Sequence, residues 1–401
     1  MVTTEDMLKA WLLCRRRKRK TEGAVLFEIN ALEECRRLAR EINTRTYRIG
    51  TSNCFVVTRP RYREVFAAQF RDRVPHHYVA MRLEPLLEAN MHERCFNCRV
   101  GKGQSYGVEC LRRDMEEATE GYTREAWVMK VDIRGFFMSV DREMLARIMD
   151  RFIRRHYHGD DREDVRWLTR MMCLNFPADD CRRRSPPVLW ERLPPHKSLF
   201  TCPRGRGVPI GNLYSQLFAN WLLTSLDFLL DRRVGSWHGR YVDDIYMISR
   251  DRRTLLGALR GIRTSLARKG LRMNERKTSL QQAWKGVTFT GVMVRPHRLR
   301  VRRKTMRSLH ESVRRLMEEL RAGGVSWERV ASANSYAGML RGRDDYREGK
   351  RALLEAVRSS GGALMARCGP RGLCLQFSPL TNVKVSRKAL TERDIFRIFA
   401  Q

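Results

Sequence analysis

Acidic residues are scarce in this chain relative to basic ones: 45 aspartates and glutamates stand against 79 lysines and arginines in 401 residues, a formal charge of +34. A surface so short of negative charge attracts phosphate polyanions, which makes nucleic acid the leading expected partner and its binding strongly salt-dependent. Long apolar runs are missing too. No stretch approaches the roughly 18 residues that a membrane-spanning helix needs, so no membrane partner is expected. The N-terminus lacks the order of a secretory signal, because the basic string from Arg15 to Lys20 follows the apolar residues Leu8 to Leu13 instead of preceding them. These absences lead to the expectation of a cytoplasmic protein. The 11 cysteines are an odd number without a regular framework, which argues against a disulfide-stapled scaffold. Cys95 and Cys98 form the one Cys-x-x-Cys and could hold half a zinc site, but no second pair at metal spacing follows. His76 and His77 have no nucleophile nearby in sequence and are expected to pack or to touch backbone. Internal repeats and long low-complexity tracts are absent.

What is present centres on Tyr241-Val242-Asp243-Asp244 within the apolar run RYVDDIYMIS. Two adjacent carboxylates sit where a strand reverses. Asp is also a common turn residue, so the pair alone could mark only a hairpin tip. Upstream, Trp127, Val128, Met129 and Val131 read as a mostly apolar buried strand ending at Asp132. A carboxylate at a strand end is costly to bury alone, so it is solvated, paired or bound to metal. Clustered carboxylates can hold two Mg²⁺ ions about 3.5–4 Å apart, which suits in-line displacement at a phosphoryl centre. After Asp132 the chain turns at Gly135 and presents Phe136 and Phe137. Met144, Leu145, Ile148, Met149 and Phe152 then recur at helical spacing, with Asp141 placed to cap that helix.

The segments VDIRGFF and YVDD resemble motifs A and C of reverse transcriptases, and RGVPIGNLYSQLFANWLLTSLD between them resembles motif B. Within that family the string Val208-Pro209-Ile210-Gly211, with Ile210 where glutamine is usual, is similar to the reverse transcriptases of diversity-generating retroelements, which misincorporate opposite template adenines. REVFAAQFRDRVPHH (Arg63 to His77), GKG (Gly101 to Gly103) and LPPHKSLF (Leu193 to Phe200) carry the same resemblance. It spans about Tyr47 to Tyr346 and is weakest at the ends.

The resemblance implies a right-hand polymerase of mixed α/β class, with fingers, a palm built on an antiparallel sheet, and a helical thumb. It implies catalysis by Asp132, Asp243 and Asp244, with Ile133 beside them as metal-holding residues for two Mg²⁺ ions or substituting Mn²⁺. LRMNERKTSL resembles motif D, in which Lys277 would protonate the leaving pyrophosphate; outside the family a lone lysine in a basic chain is a solvated charge. Arg63 matches the fingers arginine that grips the triphosphate, with Arg59 or Arg61 as its companion, and Gly211 and Gln216 join the nucleotide site. Phe137 stands where the family carries a steric gate against the 2′-hydroxyl, or it is core filling beside Phe136. Ile210 would leave mispairs less penalised than a hydrogen-bonding glutamine, or it packs against the following helix. Phe289 and Gly291, within Val287 to Val292, match the primer grip; without the family, Gly291 in a short strand suggests only a bulge. The implied partners are a template RNA, the primer and cDNA, deoxynucleoside triphosphates, and a small basic helical accessory variability protein. A group II-like or retron-type enzyme of ordinary fidelity, and a non-catalytic RNA-binding or abortive-infection protein on the same fold, are the alternatives.

Organisation follows from composition and punctuation. Residues 1–124 are expected to form a basic N-terminal segment and fingers, 125–294 the palm, with a return to the fingers over 150–206, and 295–401 the thumb and tail. Ahead of motif A, apolar and basic residues alternate around Pro60, as in a hairpin with one charged face. One helix is expected around Val25 to Ile42, and another through Leu255, Leu256, Leu259, Ile262 and Leu266, stopped by Gly270. Arg71, Arg73 and Lys102 are expected to be template-backbone contacts or solvated charges. Asp179 to Gly207 reads as a Pro- and Arg-rich connection. Met306, Leu309, Val313, Leu316 and Leu320 mark a thumb helix, with further helices around Trp327 to Met339 and Leu353 to Val357.

Overall fold

The structure, a computed structural model, describes residues 1–16, 18, 21–58, 61–369, 372–378 and 384–386. Arg59 and Pro60, and Arg17, Arg19 and Lys20 of the N-terminal basic string, lie outside the described residues. The chain divides into two compact units: Met1–Asp114 with Ala126–Leu280, and Met115–Glu125 with Gln281–Gln401.

The strands of the first unit are β1 (Ser52–Val57), β2 (Arg63–Ala67), β3 (Trp127–Asp132), β4 (Cys181–Arg183), β5 (His238–Tyr241) and β6 (Asp244–Ser249), with β7 (Ser279–Gln282) at its margin. Its principal sheet runs β5-β6-β3-β7. β6 is antiparallel to both neighbours. Side chains alternate along a strand, so this sheet has two distinct faces. Met129 and Val131 of β3, Ile133 just after it, and Ile245 and Met247 of β6 belong to the main core. That core is completed by helices Arg142–His156, Leu213–Val234 and Arg252–Ala267, through residues such as Leu145, Phe218 and Ile262. Helix Leu213–Val234 is apolar on most sides because it lies inside the core; removing the buried Phe218 ring would cost roughly 3–5 kcal/mol. The opposite face carries Asp132, Lys130, Asp244 and Tyr246.

Local signals account for many boundaries. Asp141 caps its helix by accepting from the Met144 N–H at 2.8 Å, as its position suggests. Asp251 does the same for Arg253 and Thr254. The helix Arg252–Ala267 ends just before Gly270, whose φ of +64° is favourable for glycine.

Other expectations are corrected by tertiary packing. The helix expected over Val25 to Ile42 is two, Glu22–Ile29 and Ala31–Asn43, broken at Asn30. β1 and β2 pair antiparallel with Arg61 and Arg63 exposed, while most of β2 is covered. Glu64 to Ala67 are all buried, and Glu64 is held by the Ser198 hydroxyl at 2.8 Å and the Leu199 N–H. Asp179 to Gly207 is not a bare connection: β4 adds to β1 in parallel, and Leu199 packs with Cys54, Phe66 and Met138. Arg71 is neither solvated nor free for a template, since it bonds Glu41 at 2.6 Å and lies near Glu34. Arg73 donates to the Ala68 carbonyl and Lys102 to that of Glu93. His76 is buried with its ring 4.8 Å from that of Tyr214, which is the packing role expected of it.

In the second unit β8 (Val287–Phe289), β9 (Val292–Arg295) and β10 (Arg298–Val301) form a meander. The helices Arg303–Arg321, Trp327–Met339 and Tyr346–Arg358 supply Leu309, Leu316, Val330 and Leu353 to a separate core. Val287 to Val292 is therefore not one strand with a bulge. Thr290 and Gly291, at φ +47° and +94°, form the two-residue turn of a hairpin that pairs Phe289 with Val292.

Candidate active site

The register of the principal sheet builds the site. Asp132, the last residue of β3, lies directly opposite Asp244, the first of β6, so their side chains share a face. Asp244 also pairs with Tyr241 of β5, leaving Val242 and Asp243 as the two residues of the connecting turn. Val242 has φ +59° and Asp243 does not share that sign, the pattern of a hairpin turn whose first central position favours glycine. A β-branched residue there costs on the order of 1–3 kcal/mol and persists only where surroundings hold it. The turn is tied to β3 as well, because the Ile133 N–H donates to the Asp243 carbonyl at 3.2 Å.

Like charges directly opposite one another repel: carboxylates about 5.5 Å apart at an effective dielectric of about 20 do so by roughly 3 kcal/mol. Two lysines offset this. Lys277 bonds both Asp132 oxygens, at 2.9 and 3.0 Å. Lys130, diagonal to Asp244 on the same face, lies 3.0 Å from it. Asn274 adds its side-chain N–H to Asp132 at 3.0 Å and its backbone N–H to the Asp132 carbonyl at 2.7 Å. Asp243 bears the remaining strain. Burial foremost, then the charge of Asp132, and also that of Asp244, push its carboxyl up to about 6, against relief from its own backbone N–H and from Lys277.

A divalent cation would relieve that crowding, and the donor set, carboxylate oxygens throughout, has the chemistry that Mg²⁺ and Mn²⁺ prefer. In that sense the residues fit. Among the described residues, however, no three His, Cys, Asp or Glu side chains form a ready-made cage. The aspartates are turned instead to their lysines. The Cys-x-x-Cys does not offer an alternative centre: Cys95 is fully buried against Arg240, and the Cys98 thiol contacts the Gln216 amide oxygen at 3.1 Å.

Arg61 and Arg63 are exposed, and neither is paired with a carboxylate among the described residues. Both act electrostatically on Lys197, as does Lys277; burial first, then these cations, lower the Lys197 ammonium below its ordinary value. Arg63 also lies within range of the Tyr241 hydroxyl. Lys197 was not evident in the sequence as part of the site, although LPPHKSLF contains it. Arg61, Arg63 and Lys197, like-charged and with no carboxylate partner among the described residues, form a receptive place for an anion with several charges.

Phe137 and Ile210 meet in one apolar cluster with Cys54, Phe66, Met138 and Leu199. Phe136 is fully in the core, whereas Phe137, its ring 5.3 Å away, is only half-buried. Ile210 is half-buried too, and its carbonyl accepts from the Phe66 N–H of β2 at 2.8 Å. Gly211 has φ +119°, and a Cβ there would meet the Phe66 carbonyl oxygen at 2.6 Å. Close approach of two backbones accounts for this glycine. Gln216 is exposed one turn along the following helix. Phe289 and Gly291 belong to the second unit, where the Phe289 side chain is wholly buried and Gly291 serves the turn.

Among the described residues, no helix is long and apolar enough to cross a membrane. The chain is similar to several known proteins. Escherichia coli (strain K12) protein YkfC is 23% identical over 173 residues, covering 42% of this chain and 38% of YkfC, so the match spans well under half of that relative. Among solved structures, apo telomerase from Candida tropicalis is similar at 13% identity and TM-score 0.48, covering 78% of this chain and 57% of that one. Telomerase from Candida albicans in complex with a fragment of telomeric RNA is similar at 12% identity and TM-score 0.44, over 77% and 55%. Residues 58–294, more than half of the chain, match the family model described as reverse transcriptase (RNA-dependent DNA polymerase). Carrying that domain around two aspartates on one sheet face and a third in the adjoining turn, the chain belongs to the reverse transcriptase family.

Proposed function

We propose that the chain is an RNA-directed DNA polymerase with its chemistry at Asp132, Asp243 and Asp244, and that it serves a diversity-generating retroelement by copying a template-repeat RNA with errors directed to adenines. The observation that carries the polymerase reading is Asp132 opposite Asp244 across adjacent strands, with Asp243 in the turn between β5 and β6. Bound divalent ions, Mg²⁺ or Mn²⁺, would supply activation of the primer 3′-hydroxyl and neutralisation of the leaving pyrophosphate. The three aspartates, with the backbone of Ile133, would hold them.

The remaining residues have roles that their positions support. Lys277, already within 2.9 Å of Asp132, is placed to give a proton to pyrophosphate. Arg63, Arg61 and Lys197 would receive the triphosphate, the arginines by their planar forks. Arg59 lies outside the described residues, so Arg61 is the companion that this reading uses. Phe137, half-buried, keeps part of its ring free to meet a sugar and exclude a 2′-hydroxyl. Ile210 offers a nascent pair only apolar contact, and Gly211 lets the chain pass close to β2. Gln216 lies at the edge of the nucleotide site. On this reading the sheet β5-β6-β3 and its helices form the palm, β1 and β2 with helix Phe70–Asn90 belong to the fingers, and residues 295–401 are the thumb and tail. Phe289 supports the primer-grip hairpin from within its core, and Gly291 shapes its tip.

The retroelement reading rests on Val208-Pro209-Ile210-Gly211 and brings with it a small basic helical accessory protein, a cytoplasmic setting and an RNA template. It is tested by purifying the chain with its upstream RNA and any adjacent small basic protein, supplying Mg²⁺ and deoxynucleotides, and sequencing the cDNA. Errors concentrated at template adenines are expected; faithful cDNA would leave a reverse transcriptase of ordinary fidelity.

A further inference from the structure

Beneath the Val242–Asp243 turn lies a buried polar network that neither the motifs nor the family match assigns. Arg240, two residues before Val242, is fully buried, as are Asp227 and Cys95, and Asn220 is 1% exposed. The Arg240 guanidinium holds Asp227 with both edges of its fork, Nε to Oδ1 at 2.7 Å and Nη2 to Oδ2 at 2.6 Å. Nη2 also reaches the Asn220 carbonyl at 3.2 Å and Cys95 Sγ at 3.3 Å. Nη1 takes the Asn220 side-chain oxygen at 3.1 Å and the Val242 carbonyl at 3.2 Å. The five N–H donors of an arginine are thereby all engaged. Around it the backbone is fixed twice more, by the Arg240 N–H on the Arg94 carbonyl and the Phe96 N–H on the Arg240 carbonyl, each at 2.9 Å.

We propose that Arg240, locked by Asp227 and Asn220, is a positioning residue that fixes the aspartate turn through the Val242 carbonyl. The peptide between Val242 and Asp243 is the mechanical link. Its carbonyl is held by Arg240, and its N–H belongs to Asp243 itself. Rotating this one peptide would change ψ of Val242 and φ of Asp243 and carry the Asp243 carboxylate away from Asp132. A buried ion pair is weak as a source of stability, because well-packed apolar residues can replace it, yet it is strong at fixing geometry when every donor is used. Asp227 is about four turns into helix Leu213–Val234, so the core reaches the turn through a rigid element.

This inference rests on the polymerase reading, and its test separates the two. In the full chain, Arg240→Lys keeps the charge beside Asp227 but loses the fork. Melting temperature, kcat and KM for deoxynucleotide on a primed RNA template, and Mn²⁺ binding followed by electron paramagnetic resonance should be measured together. The expected result is a folded protein whose kcat falls roughly 10- to 100-fold, whose KM stays within about threefold, and whose Mn²⁺ binding weakens. Unchanged kcat and Mn²⁺ binding would overturn the proposal. Should Arg240→Lys fail to fold, the double substitution Arg240→Met with Asp227→Leu removes both charges at similar volume. Restored folding with kcat still depressed supports positioning, and restored folding with parental kcat and Mn²⁺ binding shows the pair to be structural only. A parent that binds Mn²⁺ but makes no cDNA would sink the polymerase reading, while the Mn²⁺ comparison would still judge Arg240.

Discussion

Replacing Asp243 with Asn should abolish synthesis and, without metal, make the protein more stable. The folded carboxyl is raised from 3.8 to about 6, a difference of about 3 kcal/mol at roughly 1.4 kcal/mol per unit. Asp243 is half-buried by exposed area, so solvent screens part of this, and roughly 1–2 kcal/mol is the expected gain. The sign follows from proton counting. Between pH 3.8 and about 6 the folded state binds more protons than the unfolded one, so the stability of the parent falls as pH rises through that window. Above it the penalty is complete. Asn keeps the shape but never ionises, so its advantage should be full at ~pH 7.5 and roughly halved at ~pH 5. Differential scanning fluorimetry in chelator should show a rise of roughly 2–6 °C at the higher pH. Added Mg²⁺ should then raise the parent and not the variant, since only a site that binds metal gains by mass action. A variant less stable than the parent, or one whose gain is the same at both pH values, would refute the picture of Asp243 crowded by burial and by its neighbouring carboxylates.

Four further outcomes follow from the site. Phe137→Ala should admit ribonucleotides by roughly tenfold or more in relative kcat/KM, measured by single-nucleotide extension, at a cost of only about 1–3 kcal/mol for a half-buried ring. Ile210→Gln should lower misincorporation at template adenines without abolishing cDNA, as deep sequencing would show; an unchanged error spectrum would leave Ile210 a packing residue. Lys197→Ala should fold normally, since it has no carboxylate partner among the described residues, and raise the KM for deoxynucleotide roughly tenfold, about 1.4 kcal/mol of lost phosphate contact. Gly211→Ala, with a Cβ forced to 2.6 Å from the Phe66 carbonyl oxygen, should cost more than about 2 kcal/mol in chemical denaturation.

The aspartates were legible because strand periodicity and an Asp-Asp turn are local signals, and the register that brings Asp132 opposite Asp244 follows from pairing two apolar strands by their buried faces. Asp141 and Gly270 were legible for a similar reason, since capping depends on a few neighbouring residues. What failed was set by distant chain. Glu64, a carboxylate beside basic residues, gives no sign of burial until Ser198 and Leu199, more than 130 residues on, cover it. Arg71 reads as a free cation until helix Ala31–Asn43 supplies Glu41. Arg240 stands beside the most informative motif in the chain yet gave no sign of burial, because the Asp227 that neutralises it is a polar residue in an otherwise apolar helix and the match is visible only in three dimensions. Lys130 was likewise one among many lysines until the sheet set it against Asp244, whereas Lys277, singled out by the resemblance of its segment to motif D, bonds Asp132.

The most direct measurement is primer extension on an RNA template with deoxynucleotides across a Mg²⁺ titration, comparing the parent with Asp132→Asn. Metal-dependent cDNA from the parent, with a loss of at least about 10³-fold in the variant while its melting temperature is retained, is the predicted result. Extension by Asp132→Asn at parental rate, or synthesis by the parent that does not depend on a divalent ion, would contradict the account.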